Sequence, residues 1–317
     1  MTVAVSVLAG GVSLEREISL RSGRRVTEAL DAVGHDVTRL DVDDQLVHRL
    51  LDAQCDAVYL ALHGKAGEDG TVQSLLEVLG VPYTGPDAVA SALAWDKGVC
   101  KGLLRRHGAA TPDWVSLSSD AVRDMGAAGA LEQIVDTLGM PVVVKPAQGG
   151  ASMGVRVVHE ASQLPGALVA GLGYGDVVLV ERFVGGTEIA VSIVEDEPLP
   201  AVEVIPRAGT YDYAARYTHG ATEFHAPARV TPETKAAADE LALSAWNITG
   251  CRNVARADLI VDAEGQPWFL ELDTCPGMTE TSLLPLAAHA AGESFSGLCD
   301  RILAGALDAA RAPVTTR

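Results

Sequence analysis

The sequence predicts an α/β protein that begins with a parallel, Rossmann-like sheet. Apolar strands alternate with helices as far as residue 62, a pattern typical of βαβ units. The composition changes near residue 96, where a second, smaller α+β unit begins, and an apolar hairpin with acidic residues lies near the C-terminus. With 317 residues, 48% of them hydrophobic, the chain is long enough for two or three domains with buried cores.

The first unit contains three predicted strands and two predicted helices. The strands are 3–8, 36–40 and 57–62, and the helices are 13–33 and 44–53. The loop 63–70 follows the third strand, at the edge where open α/β sheets bind their ligands. Glu15 lies in the first turn of a helix that Ser13 is expected to cap, a position that is favourable to the helix dipole.

The second unit is predicted to alternate helices and strands from about residue 96. Its helices are 97–107 and 121–138, and its strands are 114–115, 141–146 and 177–184. The rest of the chain carries the acidic hairpin and ends in an alanine-rich helix. We therefore predict three domains, with the boundaries 1–95, 96–183 and 184–317.

The acidic hairpin is the most informative feature of the chain. Its predicted parts are the strands 254–261 and 268–272 and the turn 262–265. Alternate side chains of a strand share a face, so Arg256 lies beside Asp258, and a tight turn places Asp258 opposite Glu271. Asp273 shares the face of Glu271. Three carboxylates this close repel one another unless cations lie among them, and such hard oxygen ligands suit magnesium bound to phosphates.

A surface hairpin with solvated acids is the alternative interpretation. The apolar neighbours of the acids argue against it, because they indicate a hairpin built into a core. These neighbours are Leu259, Ile260, Val261, Phe269 and Leu270.

A second candidate site is the glycine-rich loop that follows Lys145. A lysine at the end of an apolar strand, followed by flexible glycines, offers an ammonium group and free backbone amides to a phosphate chain. It is not a Walker loop, because there the lysine follows the glycines. An ordinary surface hairpin remains possible. Glu181 ends a later apolar strand and Glu188 follows it; alone, Glu181 is equally explained as a solvated strand-end acid.

Charge and composition exclude several functions. The net charge of −18 disfavours a nucleic acid or an anionic membrane as partner. The N-terminus lacks the basic region of a signal peptide, and no apolar run reaches membrane-spanning length. The five cysteines are scattered, without a CxxC pair, so we expect a reducing cytoplasmic location and no zinc site.

Several blocks in order give the chain a specific resemblance from about residue 3 to residue 288. It resembles the D-alanine:D-alanine ligases of the ATP-grasp superfamily. The blocks are 10–19 (GGVSLEREIS), 61–64 (ALHG) with 67–70 (GEDG), 96–97 (DK), 211–213 (YDY) with Tyr217, and 271–279 (ELDTCPGMT).

The resemblance implies an ATP-dependent ligase. It would phosphorylate the carboxylate of one amino acid, and the amine of a second would attack the acyl phosphate. Two magnesium ions, with manganese as a possible substitute, would be held by Asp258, Glu271 and Asp273. The residues implied for the nucleotide are Lys97, Lys145, Ser152, Glu181, Val184, Glu188 and Arg216.

The remaining implied site residues act on the amino acids. Glu15 would bind the ammonium group of the first, and Ser282 with Leu283 would meet the carboxylate of the second. Arg256 and the backbone amide of Gly277 would stabilise the tetrahedral oxyanion. Tyr217 belongs to the lid, and His63 lies in a matching block, with a solvated loop histidine as the alternative.

Three positions depart from the family pattern, and each lies near the implied chemistry. Ala151 replaces a serine whose hydroxyl would hydrogen-bond to Glu15 and Tyr217. Arg216 replaces a lysine, which keeps the charge but presents a planar fork. Asp273 replaces an asparagine and adds a negative charge to the metal site.

Three functions therefore stay open on the sequence. The first is a D-alanine:D-alanine ligase that supplies peptidoglycan precursors. The second is a related ATP-grasp ligase that joins another amino acid, or closes a ring, in a specialised biosynthetic or resistance pathway. The third is a catalytically weak binding protein. The second substrate is not set by the sequence, and the resemblance favours a homodimer.

Overall fold

The computed structural model describes residues 2–126, 129, 131–207, 216, 218 and 220–311. The predicted lid residue Tyr217 lies outside the described residues, as do Tyr211 and Tyr213. The strands are β1 Ala4–Ala9, β2 Asp36–Asp41, β3 Ala57–Leu60, β4 Trp114–Ser118, β5 Val142–Pro146, β6 Arg156–Val158, β7 Val177–Arg182, β8 Thr187–Val194, β9 Glu197–Pro198, β10 Val202–Pro206, β11 Thr222–His225, β12 Val254–Val261 and β13 Pro267–Asp273.

The helices connect these strands and cover the sheets. They are α1 Arg16–Ala32, α2 Leu46–Ala53, α3 Thr71–Leu79, α4 Ala88–Trp95, α5 Lys97–Arg106, α6 Ser119–Arg123, α7 Leu131–Leu138, α8 Leu164–Leu172, α9 Pro232–Thr249, α10 Leu283–Ala290 and α11 Phe295–Arg311. The mixed α/β class predicted from the sequence is thereby confirmed.

The N-terminal sheet is parallel, as the alternation of strands and helices predicts. Its order is β2-β1-β3. Both faces are covered, which is usual for parallel strands: Val5 and Val7 pack into a core with α1 and α11, whereas Leu8 belongs to a second core on the other face. The carboxyl ends of these strands therefore face the loops that begin the candidate site.

The central sheet is antiparallel, in the order β4-β7-β5-β6. It has its own core, built from the strands and from α7 and α8. One prediction in this unit is wrong: the expected helix 121–138 is two helices, α6 and α7. Gly126 adopts a positive φ of 70° between them, a conformation that glycine allows and that ends a helix.

The C-terminal sheet carries the acidic hairpin. Its strands run β11-β10-β8-β12-β13, with β9 paired to β8. The register places Asp258 opposite Glu271 and Arg256 opposite Asp273, which confirms the predicted pairing. A bulge between Asp258 and Leu259 shifts the register beyond that point. Leu259 and Phe269 are fully buried, so the surface-hairpin alternative is wrong.

The start of α1 differs from the prediction. Ser13 is not the helix cap, because the helix begins at Arg16 and Glu15 occupies the capping position without a side-chain bond. Ser13 Oγ instead accepts a hydrogen bond from Glu15 N and donates one to His63 O. The serine thus joins the start of α1 to the loop after β3, and this contact holds Glu15 beside that loop.

Two expectations from composition can be compared with the structure. Each of the five cysteines, all within the described residues, is a free thiol. Among the described helices, none combines the length and the apolar character needed to cross a membrane.

Candidate active site

The hairpin acids are linked by the guanidinium group of Arg256. Its Nε and Nη2 donate to the two oxygens of Asp258 at 2.6 and 2.8 Å, and Nη1 lies 2.9 Å from Asp273 Oδ2. Arg256 and Asp258 are both buried. Burial raises the pKa of Asp258, and Arg256 opposes that effect. The predicted convergence of three carboxylates and an arginine is therefore confirmed, with the arginine lying between two of the acids.

Glu271 is held by a different cation, Lys97. The Lys97 Nζ lies 3.2 Å from Glu271 Oε2 and donates a 2.6 Å hydrogen bond to Gly149 O. Burial raises the pKa of Glu271, but the surrounding cations, Lys97 first among them, outweigh burial and lower it to about 2. Glu271 is therefore ionised throughout the physiological range.

The donor chemistry at the hairpin fits magnesium. Asp258 and Glu271 oppose each other. Burial raises the pKa of the nearby Glu188 to about 7, with a further contribution from the charges of Asp258 and Glu271 and against the attraction of Arg216. A divalent cation would relieve this crowding of negative charge. Within the described part of the chain, however, no three acidic, histidine or cysteine side chains stand at metal-binding spacing. Asp273 is occupied by Arg256 and by the amide of Cys275.

A large cleft lies between the central and C-terminal sheets. Its volume is about 520 Å³, within the range of small-molecule sites. The lining includes eight residues that the resemblance implies for the nucleotide or the metal: Lys145, Ser152, Glu181, Val184, Glu188, Arg216, Asp258 and Glu271. Apolar side chains, among them Ile260 and Leu270, form the floor. Of the residues implied for the nucleotide, Lys97 alone is outside this lining and instead lines the neighbouring cavity.

Contacts inside the cleft join its glycine loop to the opposite wall. Ser152 Oγ accepts a 3.0 Å hydrogen bond from Arg216 Nε. Glu181 is buried, with one oxygen shared by Lys145 at 3.0 Å and by Lys101 at 2.7 Å. The solvated strand-end alternative for Glu181 is therefore wrong.

A second, smaller cavity of about 70 Å³ lies beside the cleft. Four carboxylates line it, those of Glu15, Glu68, Glu271 and Asp273. Glu15 is buried, and its Oε1 has no hydrogen-bond partner among the described residues. Burial, aided by the charge of Asp273, raises the pKa of Glu15 to about 7. Although Lys97, Arg216 and Arg256 also line the cavity, Glu15 Oε1 is a buried acceptor without a donor, of the kind that an ammonium group satisfies.

Two glycines allow close approach at this cavity. A Cβ atom at Gly150 would lie 2.6 Å from Glu15 Oε1, and one at Gly277 would lie 2.7 Å from Ser282 Oγ. Ser282 Oγ accepts a 2.9 Å hydrogen bond from Thr279 N and precedes α10. Gly277 and Ser282 are far from Glu15 in the sequence, but all three residues line the same cavity.

A buried histidine positions the loop that contains Gly277. His63 Nδ1 lies 3.0 Å from Cys275 O, and a carbonyl only accepts, so Nδ1 carries the proton. Nε2 then accepts from Ser22 Oγ at 2.8 Å, and Ser22 Oγ accepts from Met278 N at 3.2 Å. Burial lowers the pKa of His63, which favours this neutral form. The solvated-loop alternative for His63 is wrong.

Three residues in or beside the two cavities were not predicted from the sequence: Glu68 lines the smaller cavity, and Lys101 and Ser22 contact residues that line a cavity. Lys101 follows Lys97 by four residues on α5. This spacing puts both lysines on one face of the helix and could have indicated that Lys101 lies near the site. Glu68 was part of a matching block without an assigned role. Ser22 carries no local signal, because its contacts are with residues 41 and 256 positions away.

Sequence comparisons match the chain to known families over nearly its whole length. Residues 103–304 match the family model of the D-ala D-ala ligase C-terminus, and residues 44–86 match that of the D-ala D-ala ligase N-terminus. The D-alanine–D-alanine ligase of Anaeromyxobacter dehalogenans (strain 2CP-C) is 46% identical over 95% of this chain and 96% of the relative. That of Pelotomaculum thermopropionicum is 40% identical over 97% and 98%.

Structure comparisons agree. The crystal structure of D-alanine–D-alanine ligase from Bacillus anthracis complexed with ATP has a TM-score of 0.84 and 32% identity, covering 98% of this chain and 99% of that one. The VanG D-Ala:D-Ser ligase from Enterococcus faecalis has a TM-score of 0.82 at 25% identity, covering 96% and 100%. The fold is therefore that of an ATP-grasp enzyme. With these relatives, the chain belongs to the D-alanine–D-alanine ligase family.

Proposed function

We propose that this protein is an ATP-dependent ligase that joins two D-alanine molecules for peptidoglycan precursor synthesis. One observation carries the proposal: the nucleotide-sized cleft and the acidic cavity meet, because Glu271 and Arg216 line both. A phosphate transferred from one side to a carboxylate on the other would pass this junction. The curated relatives, at 40% to 46% identity, support D-alanine as the substrate.

In this proposal the cleft binds ATP. Lys97 and Lys145 contact phosphate oxygens, the 181–184 segment lies against adenine, and Glu188 meets the ribose. Ser152 and Arg216, which are hydrogen-bonded to each other, support the phosphate end. Asp258 and Glu271, with Asp273, would hold magnesium, which would neutralise negative charge on the phosphates when bound. Manganese offers the same coordination chemistry.

The acidic cavity would bind the amino acids. Glu15, whose pKa is raised to about 7 by burial and by Asp273, pairs with the ammonium group of the first D-alanine. The first carboxylate then faces the junction, where it becomes the acyl phosphate. The amine of the second D-alanine attacks the acyl carbon and loses a proton, Arg256 and the Gly277 amide stabilise the oxyanion, and inorganic phosphate leaves as the C–N bond forms. Ser282 and the N-terminus of α10 receive the second carboxylate.

The proposal includes three properties of the whole protein. We propose the three domains 1–95, 96–183 and 184–317, a homodimer, and a cytoplasmic location. The separate core of the central sheet supports the domain division. The free thiols agree with a reducing compartment. Light scattering at several concentrations would test the dimer.

ADP release and product identity, measured with single amino acids and with mixtures that contain D-alanine, test the function. D-alanine is expected to give the fastest turnover, with D-alanyl-D-alanine as product, in a panel that contains D-serine, L-alanine and other amino acids. A mixed D-alanyl-D-serine product formed faster than D-alanyl-D-alanine would favour the second candidate, for which the VanG neighbour is the precedent. Nucleotide binding without ADP release for any amino acid would indicate a weakly catalytic binding protein.

A further inference from the structure

A buried lysine that the proposed chemistry does not use lies behind the nucleotide cleft. Lys101 is on α5, and its side chain is fully buried. It is absent from the described residues that line the cleft. A lysine is almost never fully buried unless it is paired. Its partner should therefore explain why it is there.

The partner is the carboxylate of Glu181. Its Oε1 lies 2.7 Å from Lys101 Nζ and 3.0 Å from Lys145 Nζ. Lys145 and Glu181 line the cleft, whereas Lys101 reaches Glu181 from α5, with its ammonium 5.0 Å from the centre of the Trp114 ring. Neither Lys101 Nζ nor Glu181 Oε1 has a hydrogen-bond partner outside this group among the described residues, so the two side chains depend on each other.

Two cations on one carboxylate leave one positive charge in excess. Burial raises the pKa of Glu181, but Lys145 and Lys101 outweigh it and lower that pKa. Burial lowers the pKa of Lys101 to about 7 against the attraction of Glu181. One lysine is enough to neutralise the carboxylate. The other is then able to leave without exposing an unpaired buried charge.

We propose that Lys101 is a positioning residue that keeps Glu181 neutralised, so that Lys145 is able to exchange Glu181 for a nucleotide phosphate. This inference rests on the proposed function, in which Lys145 contacts ATP. If Lys145 were the sole cation beside Glu181, turning it toward a phosphate would leave a buried carboxylate unpaired, which is strongly unfavourable. Lys101 supplies the charge that stays behind.

Nucleotide binding by Lys101→Met tests the exchange. Without Lys101, Glu181 should retain Lys145, so the dissociation constants of ATP and ADP should rise by about tenfold or more. Adenosine has no phosphate and should bind as it does to the parent protein, and the KM for D-alanine should not change. Equal weakening of ATP and adenosine would overturn the proposal, because it would indicate a general collapse of the cleft.

Arg105→Met is the matched control. Arg105 lies on the same helix, 4.3 Å from the same Trp114 ring, but pairs with Asp113. Its removal should leave the ratio of ATP to adenosine affinity unchanged. A change as large as that of Lys101→Met would attribute the effect to α5 packing and contradict the exchange.

A double variant removes the dependence on folding. In Lys101→Met/Glu181→Gln both members of the Lys101–Glu181 pair are neutral, so this variant should bind ATP as tightly as Glu181→Gln alone. A further loss of more than about tenfold would overturn the proposal even if Lys101→Met does not fold.

Lys145→Met separates this inference from the proposed function. Normal ATP affinity in Lys145→Met would refute the phosphate role of Lys145, and with it the basis of the exchange. Weakened affinity in Lys145→Met together with normal affinity in Lys101→Met would refute the inference about Lys101 alone.

Discussion

Glu15 and Glu181 are two similarly buried carboxylates whose pKa values are shifted in opposite directions from the usual value. Their exposed fractions are 4% and 2%. The Glu15 pKa rises to about 7, whereas two lysines lower that of Glu181. Burial is unfavourable to both charges, so the neighbours decide the sign. Glu15 lies near acids whose charges help to raise its pKa, whereas the carboxylate of Glu181 is shared by two lysines.

This difference matches the proposed ligands of the two regions. An ammonium group would donate to Glu15 Oε1, which has no hydrogen-bond partner among the described residues, and ATP would bring negative charge to the lysines of the cleft. Glu271 lies where the two regions meet and is surrounded by cations. Variants that change the charge of either region therefore test the comparison directly.

The largest effect is expected at the junction. Glu271→Gln removes a carboxylate that is proposed to hold magnesium, so ADP formation with D-alanine should fall by about a thousandfold or more, and EDTA should abolish it in the parent protein. Asp273→Asn is the control and should be tolerated, since it restores the residue usual in the family. Full activity in EDTA, or in Glu271→Gln, would remove the metal assignment.

The next effect breaks the contrast between the two carboxylates. Because folding raises the Glu15 pKa from 4.5 to about 7, the folded state binds the proton more tightly, and stability falls as pH rises through that window. Glu15→Gln should therefore stabilise the unliganded protein at pH 8 by up to about 3 kcal/mol, a gain that shrinks toward pH 5. Urea unfolding at both pH values measures it.

Glu181→Gln is the control for Glu15→Gln and should behave with the opposite sign. Folding lowers the pKa of Glu181. The ionised carboxylate therefore stabilises the folded state above the unfolded pKa of 4.5, and this stabilisation is lost as the pH falls through the folded pKa. Glu181→Gln should destabilise the protein at about pH 8. Destabilisation by both variants would show that packing, not charge, governs the two sites.

A smaller effect sharpens the comparison at the acidic cavity. Ala151→Ser restores the hydroxyl expected to bond to Glu15 and Tyr217, and a hydrogen bond to a charged group is worth about 1.5 to 3 kcal/mol. D-alanyl-D-alanine formation should therefore rise by roughly tenfold to a hundredfold if the bond forms in the closed state. Steady-state kinetics decide between two explanations. A variant no faster than the parent would show that the missing hydroxyl does not weaken closure of the lid, and would favour another first substrate.

The smallest effect concerns the loop beside the cavity. Ser22→Ala removes the acceptor of Met278 N and the donor to His63, so Gly277 is held less firmly. We expect kcat to fall by about fivefold with little change in the KM for ATP. Ser6→Ala is the matched control, because Ser6 Oγ is buried without a hydrogen-bond partner among the described residues. Equal losses in both would point to packing.

Local patterns in the sequence predicted much of the fold and part of the site. The hairpin register followed from strand alternation and one turn, and Asp258 does oppose Glu271. The N-terminal parallel sheet followed from the alternation of strands and helices. The break between α6 and α7 was missed, because alanine-rich segments on both sides gave one continuous helical signal.

Contacts between distant segments were not predictable in the same way. Lys101 and Glu181 are 80 positions apart, and only the tertiary fold brings their charged groups together. The proton on His63 Nδ1 is fixed by Cys275 O, 212 positions away. Local periodicity of the sequence carries no information about such long-range contacts. The Glu15 role rested on the resemblance, and the structure adds the physical reason for its unusual pKa.

The hydrophobic cores do not follow the order of the three units along the chain. Val5 and Val7 of the first sheet share one core with Ala190, Val194 and α11 of the C-terminal unit, whereas the central sheet packs on itself. Amide exchange should therefore protect the two ends of the chain together, as one cooperative unit. The central unit, which carries Lys145 and the glycine loop, should open with its own, lower free energy, so admission of the nucleotide need not disturb the rest of the fold.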